Sequence, residues 1–215
     1  MRTFFDIRRD TCFFASPRTT ARALQRALAG CRAILDVGCG ASSPLRYVSC
    51  ERLVGVDAFQ PDLDRARAAG THDEFVLARG QDLAARYRAG EFDACVALDV
   101  IEHFAKDDGF AFLNTLETIA AHKVVIFTPN GFLPQAAREP GDFQEHLSGW
   151  TPAEMRARGY EVTGLVGLKS LRTTQHRLRF RPKFFWAIVS WLTQQLWCRR
   201  HPESAAGILC VKTKP

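Results

Sequence analysis

A chain of 215 residues, 47% hydrophobic and 24% charged, has the composition of one globular domain with a sizeable core. Its opening MRTFFDIRRDTCFF lacks the apolar run of a secretory signal, and its seven cysteines show no CxxC pair and no metal spacing, which points to reduced thiols in a cytosol. The net charge of +6 is lopsided: residues 169–215 hold ten Lys/Arg against Glu203 for +9, while the rest of the chain is −3, so only the C-terminal fifth has the charge of an anion-binding surface.

In chain order, residues 1–30 form a helical extension, in which TTARALQRALAG reads as a helix with a glycine stop. Short apolar runs then alternate with helical patterns. Strands are expected at 33–38, 53–57, 74–78, 92–99 and 123–128, with helices at about 61–69, 81–88 and 108–121 between them. Continuous apolar strands joined by helices require a parallel sheet covered on both faces, so the class is α/β and doubly wound. A helix at 152–158 has Thr151 as N-cap, Pro152 at its first position and Glu154 completing a capping box. Strands at 160–168 and 206–213 close a seven-stranded, mainly parallel sheet. Between them lies a basic and aromatic insertion, 169–204. The whole chain, 1–215, is one domain.

The stretch ILDVGCGASSPL, from Ile34 to Leu45, places Asp36 ahead of Gly38-Cys39-Gly40 at the end of the first strand. Glycine lacks the Cβ that would keep a ligand from the backbone, and ligands of open parallel sheets bind at the strands' carboxyl ends. The second strand ends in Asp57, where a carboxylate can take both hydroxyls of a ribose. A nicotinamide dehydrogenase would place a third glycine where Ser43 stands, and the spacing disfavours it.

Over roughly residues 30–168, with the last strand, the sequence resembles the class I S-adenosylmethionine (SAM)-dependent methyltransferases. ILDVGCG is similar to their first motif, GVD to the second, Gln81-Asp82 to the adenine-contacting position, FDACVALDVIEHF to the fourth-strand motif and VVIFTPNG to the fifth. The resemblance implies a Rossmann-like methyltransferase fold and SAM as cofactor. It implies that Gly38, Cys39 and Gly40 pass under the methionine part and that Asp36 helps to hold its ammonium indirectly. Asp57 would bind the ribose with Ala58 and Phe59 beside the adenine. Asp82 would accept from the adenine amino group with Leu83 near it, and Leu98 and Asp99 would line the methyl-transfer side.

Asp99, Glu102 and His103 follow the fourth strand at spacings that gather side chains around one turn. His146, in QEHLSGWT, comes later. Asp99, Glu102, His103 and His146 could hold a divalent ion. The segment is similar to the E-x-x-E-H of metal-dependent O-methyltransferases of the ubiquinone pathway and of small-RNA 2′-O-methyltransferases. Asp99 replaces the first Glu with a shorter side chain, and the preferred reading has no metal: Glu102 caps a turn and His103 packs. His146 then reads as a general base or as a group orienting substrate, with Asp99 and His103 beside it. The other histidines, His72, His122, His176 and His201, read as surface or structural.

The insertion carries RLRFRPK (177–183), then FFWAIVSWLTQQLWC (184–198). A helix of about 15 residues is roughly 22 Å long, too short to cross a bilayer core of about 30 Å. It would pack on the domain or form a dimer surface. Alternatively it would lie in an anionic membrane interface through 177–200, with Trp186, Trp191 and Trp197 at headgroup level, or form a lid over the acceptor. Nucleic acid is disfavoured because no RNA-binding module is recognisable.

The expected function is methyl transfer to a small-molecule, glycan or lipid-linked acceptor, with oxygen preferred. The expected place is the cytoplasm, peripheral to the inner membrane face if the insertion binds lipid. The alternatives are a non-catalytic membrane- or partner-binding protein of the same fold and an RNA 2′-O-methyltransferase-like enzyme. The acceptor and the oligomeric state are not legible in the sequence.

Overall fold

The computed structural model describes residues 17–136, 143–173 and 177–215. Seven strands form one sheet: β1 (Ala33–Val37), β2 (Arg52–Asp57), β3 (Glu74–Leu77), β4 (Phe92–Leu98), β5 (Ala120–Pro129), β6 (Glu161–Leu168) and β7 (Ala205–Thr213). Their order is β3-β2-β1-β4-β5-β7-β6, with β7 antiparallel to both neighbours and the first five strands parallel. The chain runs outward from β1 to β3, returns to β4 and then goes the other way. The reversal between β1 and β4 opens a crevice at their carboxyl ends.

Alternation along each strand divides the core in two. Leu35 and Val37 join one layer with Leu113, Leu116 and Trp150, whereas Ile34 joins the other with Leu24, Leu28 and Phe127. The helices are α1 (Pro17–Ala27), α2 (Gln60–Ala68), α3 (Leu83–Arg86), α4 (Lys106–Ile119), α5 (Pro152–Ala157) and α6 (Lys183–Thr193). α4 buries Phe112, Leu113, Leu116 and Ile119, a 3.6-residue stripe worth about 1.5–3 kcal/mol per side chain. α5 has the expected cap: Thr151 Oγ1 accepts from the Glu154 amide, and the Glu154 carboxylate accepts from the Thr151 amide at 2.9 Å.

One expectation needs adjustment. The helix expected at 81–88 is a 3₁₀ turn, Gly80–Asp82, followed by the single turn of α3. Tyr87 leaves the helix in an extended conformation and meets Phe92 edge-on at 5.2 Å, so tertiary packing ends the helix early. Of the N-terminal extension only α1 falls within the described residues; Met1 to Ser16, with Cys12, lie outside them, as does His176.

β6 is an edge strand, and the insertion covers it. α6 continues into a π-helical turn, Gln194–Cys198. The Gln194 amide accepts from the Gly167 N–H at 2.7 Å and donates to the Gly164 carbonyl at 2.8 Å, which occupies backbone groups of the free edge. Backbone meets backbone here, since a Cβ on Gly164 would fall 2.1 Å from the Cys198 carbonyl oxygen. Asn130, just past β5, ties the insertion's far end: its amide Nδ2 donates to the carbonyls of Pro202, Glu203 and Ala205 at 3.0, 3.0 and 2.8 Å. The near end is tied by Lys169, whose Nζ donates to the Asn130 carbonyl at 2.7 Å. Among the described residues no helix is long and apolar enough to cross a membrane.

Candidate active site

The first loop is built on positive φ. Gly38 has φ +72° and Gly40 φ +56°, a region that side chains other than glycine's enter at a cost. The amides of Gly38 and Cys39 both donate to the Val56 carbonyl, at 2.7 and 3.0 Å. A Cβ on Gly38 would lie 2.4 Å from Val100 Cγ2, so this glycine also lets the β4 loop close against the β1 loop.

Asp57, half-buried at the end of β2, holds the same loop. Its Oδ2 accepts from the Gly40 amide at 2.8 Å and its Oδ1 from the Phe59 amide at 2.9 Å. Burial pushes its pKa up against the pull of these donors, and the nearby Asp62 and Asp36 add to the rise. Ala58 is half-buried beside it and Phe59 is exposed. Asp82 lies exposed past β3 and accepts from the Arg79 amide at 3.4 Å, while Leu83 is fully buried in the core.

Asp36 is 1% exposed and faces inward. Its Oδ2 accepts from the Ser43 hydroxyl and from His72 Nε2, the latter at 3.0 Å, and His72 Nδ1 lies 2.8 Å from Thr71 Oγ1. His72 is therefore a buried partner of the first motif, not the isolated residue its sequence context suggests. Gly55 in GVD makes room for this pairing: a Cβ there would lie 3.0 Å from the His72 ring and from Cys39 Sγ.

At the end of β4 the backbone turns sharply. Asp99 has φ +54°, strained for a residue other than glycine, and its amide donates to the Phe127 carbonyl at 2.8 Å. Asp99 is half-buried on the crevice floor beside Leu98, and the density of protein around it pushes its carboxyl up to about 7. Glu102 is 2% exposed. Its Oε2 accepts from Thr128 Oγ1 at 2.9 Å, while its Oε1 is buried with no partner among the described residues. Burial first, and then Asp99, pushes the Glu102 pKa well up.

The segment bearing His146 docks on this turn. The amides of Leu147 and Ser148 donate to the Glu102 carbonyl at 2.8 and 3.1 Å. Trp150, fully buried, anchors the segment: its indole N–H donates to Ser148 Oγ at 3.0 Å, and Lys106 Nζ lies 3.6 Å from its ring centroid. The His103 and His146 rings meet edge-on with centroids 4.9 Å apart. His103 Nδ1 donates to the Glu145 carbonyl at 2.8 Å and His146 Nδ1 to the Leu133 carbonyl at 2.7 Å. In a neutral ring such a bond leaves the lone pair on Nε2. Burial pushes the pKa of His146 below its usual value despite the Leu133 bond, so its ring is neutral at pH 7.

Ligand atoms of Glu102, His103 and His146 all lie within 4.8 Å of one another; Asp99 stands outside that trio. The site thus has two halves, a glycine cradle with Asp36, Asp57 and Asp62 close by, and a histidine-carboxyl cluster past β4. The cradle suits a cationic nucleoside, because Gly38 and Gly40 carry no side chains at the end of β1 and the nearby charge is negative.

Comparisons with known proteins bear on the fold that carries this site. Residues 35–123 match the methyltransferase domain family. No curated protein matches the chain. A SAM-dependent methyltransferase of Archaeoglobus fulgidus is 15% identical, with 98% of each chain covered and a TM-score of 0.58. Magnesium protoporphyrin IX methyltransferase of Synechocystis PCC 6803, solved with SAM, is 15% identical over 92% of this chain and 79% of that one, with a TM-score of 0.53. The methyltransferase domain of bacterial CtHen1 is 21% identical over 91% of this chain and 96% of that one, with a TM-score of 0.52. At these identities the structural likeness concerns the fold.

Proposed function

We propose that this chain, a member of the class I SAM-dependent methyltransferase superfamily, methylates an oxygen of a small-molecule, glycan or lipid-linked acceptor, with His146 as general base. The observation that carries the reading is the placement of His146: a neutral ring, fixed through Nδ1 by the Leu133 carbonyl, beside His103 at the end of β4.

On the cofactor side, Gly38, Cys39 and Gly40 let the ligand reach the backbone, and Asp57 takes the ribose hydroxyls on lone pairs its two amide donors leave. Asp82 accepts from the adenine amino group beside Ala58, Phe59 and Leu83. Asp36 acts from behind, holding the loop through Ser43 and His72. Bound SAM supplies a methyl group activated on a sulfonium. The chain's own contribution is to orient the acceptor against it. Leu98 and Asp99 line that side, and Asp99, with its raised pKa, can donate a hydrogen bond to the acceptor near neutral pH. His146 Nε2 takes the acceptor's hydroxyl proton, and His103 buttresses its ring. Phe132, Phe143 and Leu147, exposed on the segments around His146, supply apolar surface for the rest of the acceptor.

His146→Ala tests the base. The expected result is a fall in kcat of about 10²–10⁴-fold with unchanged affinity for S-adenosylhomocysteine. Because burial lowers the His146 pKa, its ring loses its proton earlier as pH rises, and activity should hold to a lower pH than an ordinary histidine permits. Unchanged turnover in the variant overturns the reading.

One observation favours a second reading. Glu102 Oε1, buried with no partner among the described residues where Glu102, His103 and His146 converge, supports a divalent ion that these residues would hold and that would polarise the acceptor oxygen. Activity that survives exhaustive chelation removes it; loss restored by Mg²⁺ or Mn²⁺ replaces the base reading with it.

A further inference from the structure

α6 and the π-helical turn after it pack inside out. The residues turned to the domain are Ala187, Ser190, Gln194 and Cys198, each 4% exposed or less. They are small or polar. The residues turned to solvent are Phe184, Phe185, Trp191, Leu192, Leu196 and Trp197, between 38% and 74% exposed. The first four of that face, with the half-buried Ile188, recur at i, i+1, i+4, i+7 and i+8, the spacing of one helical stripe. From Phe184 to Cys198 the chain carries no charge. An ordinary surface helix buries such a stripe.

The ends of this stretch are basic: Arg177, Arg179, Arg181 and Lys183 precede it, and Arg199 and Arg200 follow. That charge pattern selects the occupant. Two copies paired through this face, in either direction, would bring basic ends against basic ends. A polynucleotide would satisfy the arginines but offer nothing to Leu192 and Leu196. An anionic bilayer satisfies both, with apolar side chains in the acyl boundary and arginines among the headgroups.

We propose that the exposed face of α6 is a docking surface for an anionic lipid bilayer, on which the helix lies in the plane of the membrane interface. The topology gives this a direction. β6 runs parallel to β1, β4 and β5, because two antiparallel pairings separate it from β5. The insertion therefore leaves the sheet at the edge where Gly38 and Asp99 lie, and Lys169 and Asn130 fasten it there. Docking sets the acceptor side of the domain beside the bilayer.

The test is flotation of the full chain with phosphatidylcholine vesicles, with and without phosphatidylglycerol. The expected result is binding to the anionic vesicles alone, weakened by salt, with a blue shift in tryptophan emission. Leu192→Ser/Leu196→Ser should lower the partition at least about tenfold, from the apolar surface lost. Arg199→Glu/Arg200→Glu should lower it roughly tenfold or more. Both variants should keep wild-type affinity for S-adenosylhomocysteine, which reports an intact fold. Equal binding to neutral vesicles, wild-type partition of either variant, or self-association or RNA retention without vesicle binding overturns the proposal.

Discussion

The loops after β1 and β2 and the helix inserted before β7 both turn polar side chains inward, and for opposite ends. Around the first loop, Asp36, Ser43 and His72 bury a polar network whose product is a backbone shape: the cradle at Gly38 and Gly40. Along α6, Ser190 and Gln194 are buried against β6, and their product is a surface: large apolar side chains left facing out. An inward polar group is costly unless fully bonded, so each network fixes one geometry. In both places the geometry is set by residues whose burial runs against their type.

Three variants would break or sharpen that contrast. The largest effect is expected for Asp36→Ala, which leaves the Ser43 hydroxyl and the His72 Nε2–H buried without an acceptor. At about 1.5–3 kcal/mol for each charge-assisted bond, the loss of stability should reach about 3–6 kcal/mol, read from the urea midpoint, with cofactor affinity falling alongside. Gln194→Ala should cost less, about 1–3 kcal/mol, because the two bonds it makes to Gly164 and Gly167 join neutral groups. Its diagnostic is faster amide exchange at Gly167. The smallest effect belongs to Leu192→Ser/Leu196→Ser, whose thermal midpoint should move by no more than about 0.5 kcal/mol in equivalent stability, since both side chains already face solvent. A large destabilisation there would mean that the face packs within the domain, and the contrast would vanish.

Much of the frame was legible in the sequence because parallel strands buried on both faces must be apolar throughout, and Leu35, Val54 and Val96 obey that rule. The glycine cradle and Asp57 were legible because positive φ and a carboxylate at a strand end leave few residue choices. His72 was not legible: its partner Asp36 is 36 residues away, and nothing local marks the pairing. The meeting of His146 with His103 was also beyond local pattern, since it depends on Trp150 anchoring a segment that bonds back to Glu102. For α6, the sequence revealed an apolar helix between basic ends but not which side the domain would take. The run Ala187, Ser190, Gln194, Cys198 on the opposite side was the available clue, because only small or amide side chains can lie flat on a strand edge.

Asn130 has a mechanical consequence. Its side chain holds the strand leading into β7, its carbonyl holds Lys169, and its backbone pairs with Trp150 at the root of the His146 segment. One residue thus rivets the sheet, both ends of the insertion and the His146 segment into a single plate. A load applied at α6 is carried straight to the crevice, and the insertion cannot swing as a hinged flap while that rivet holds.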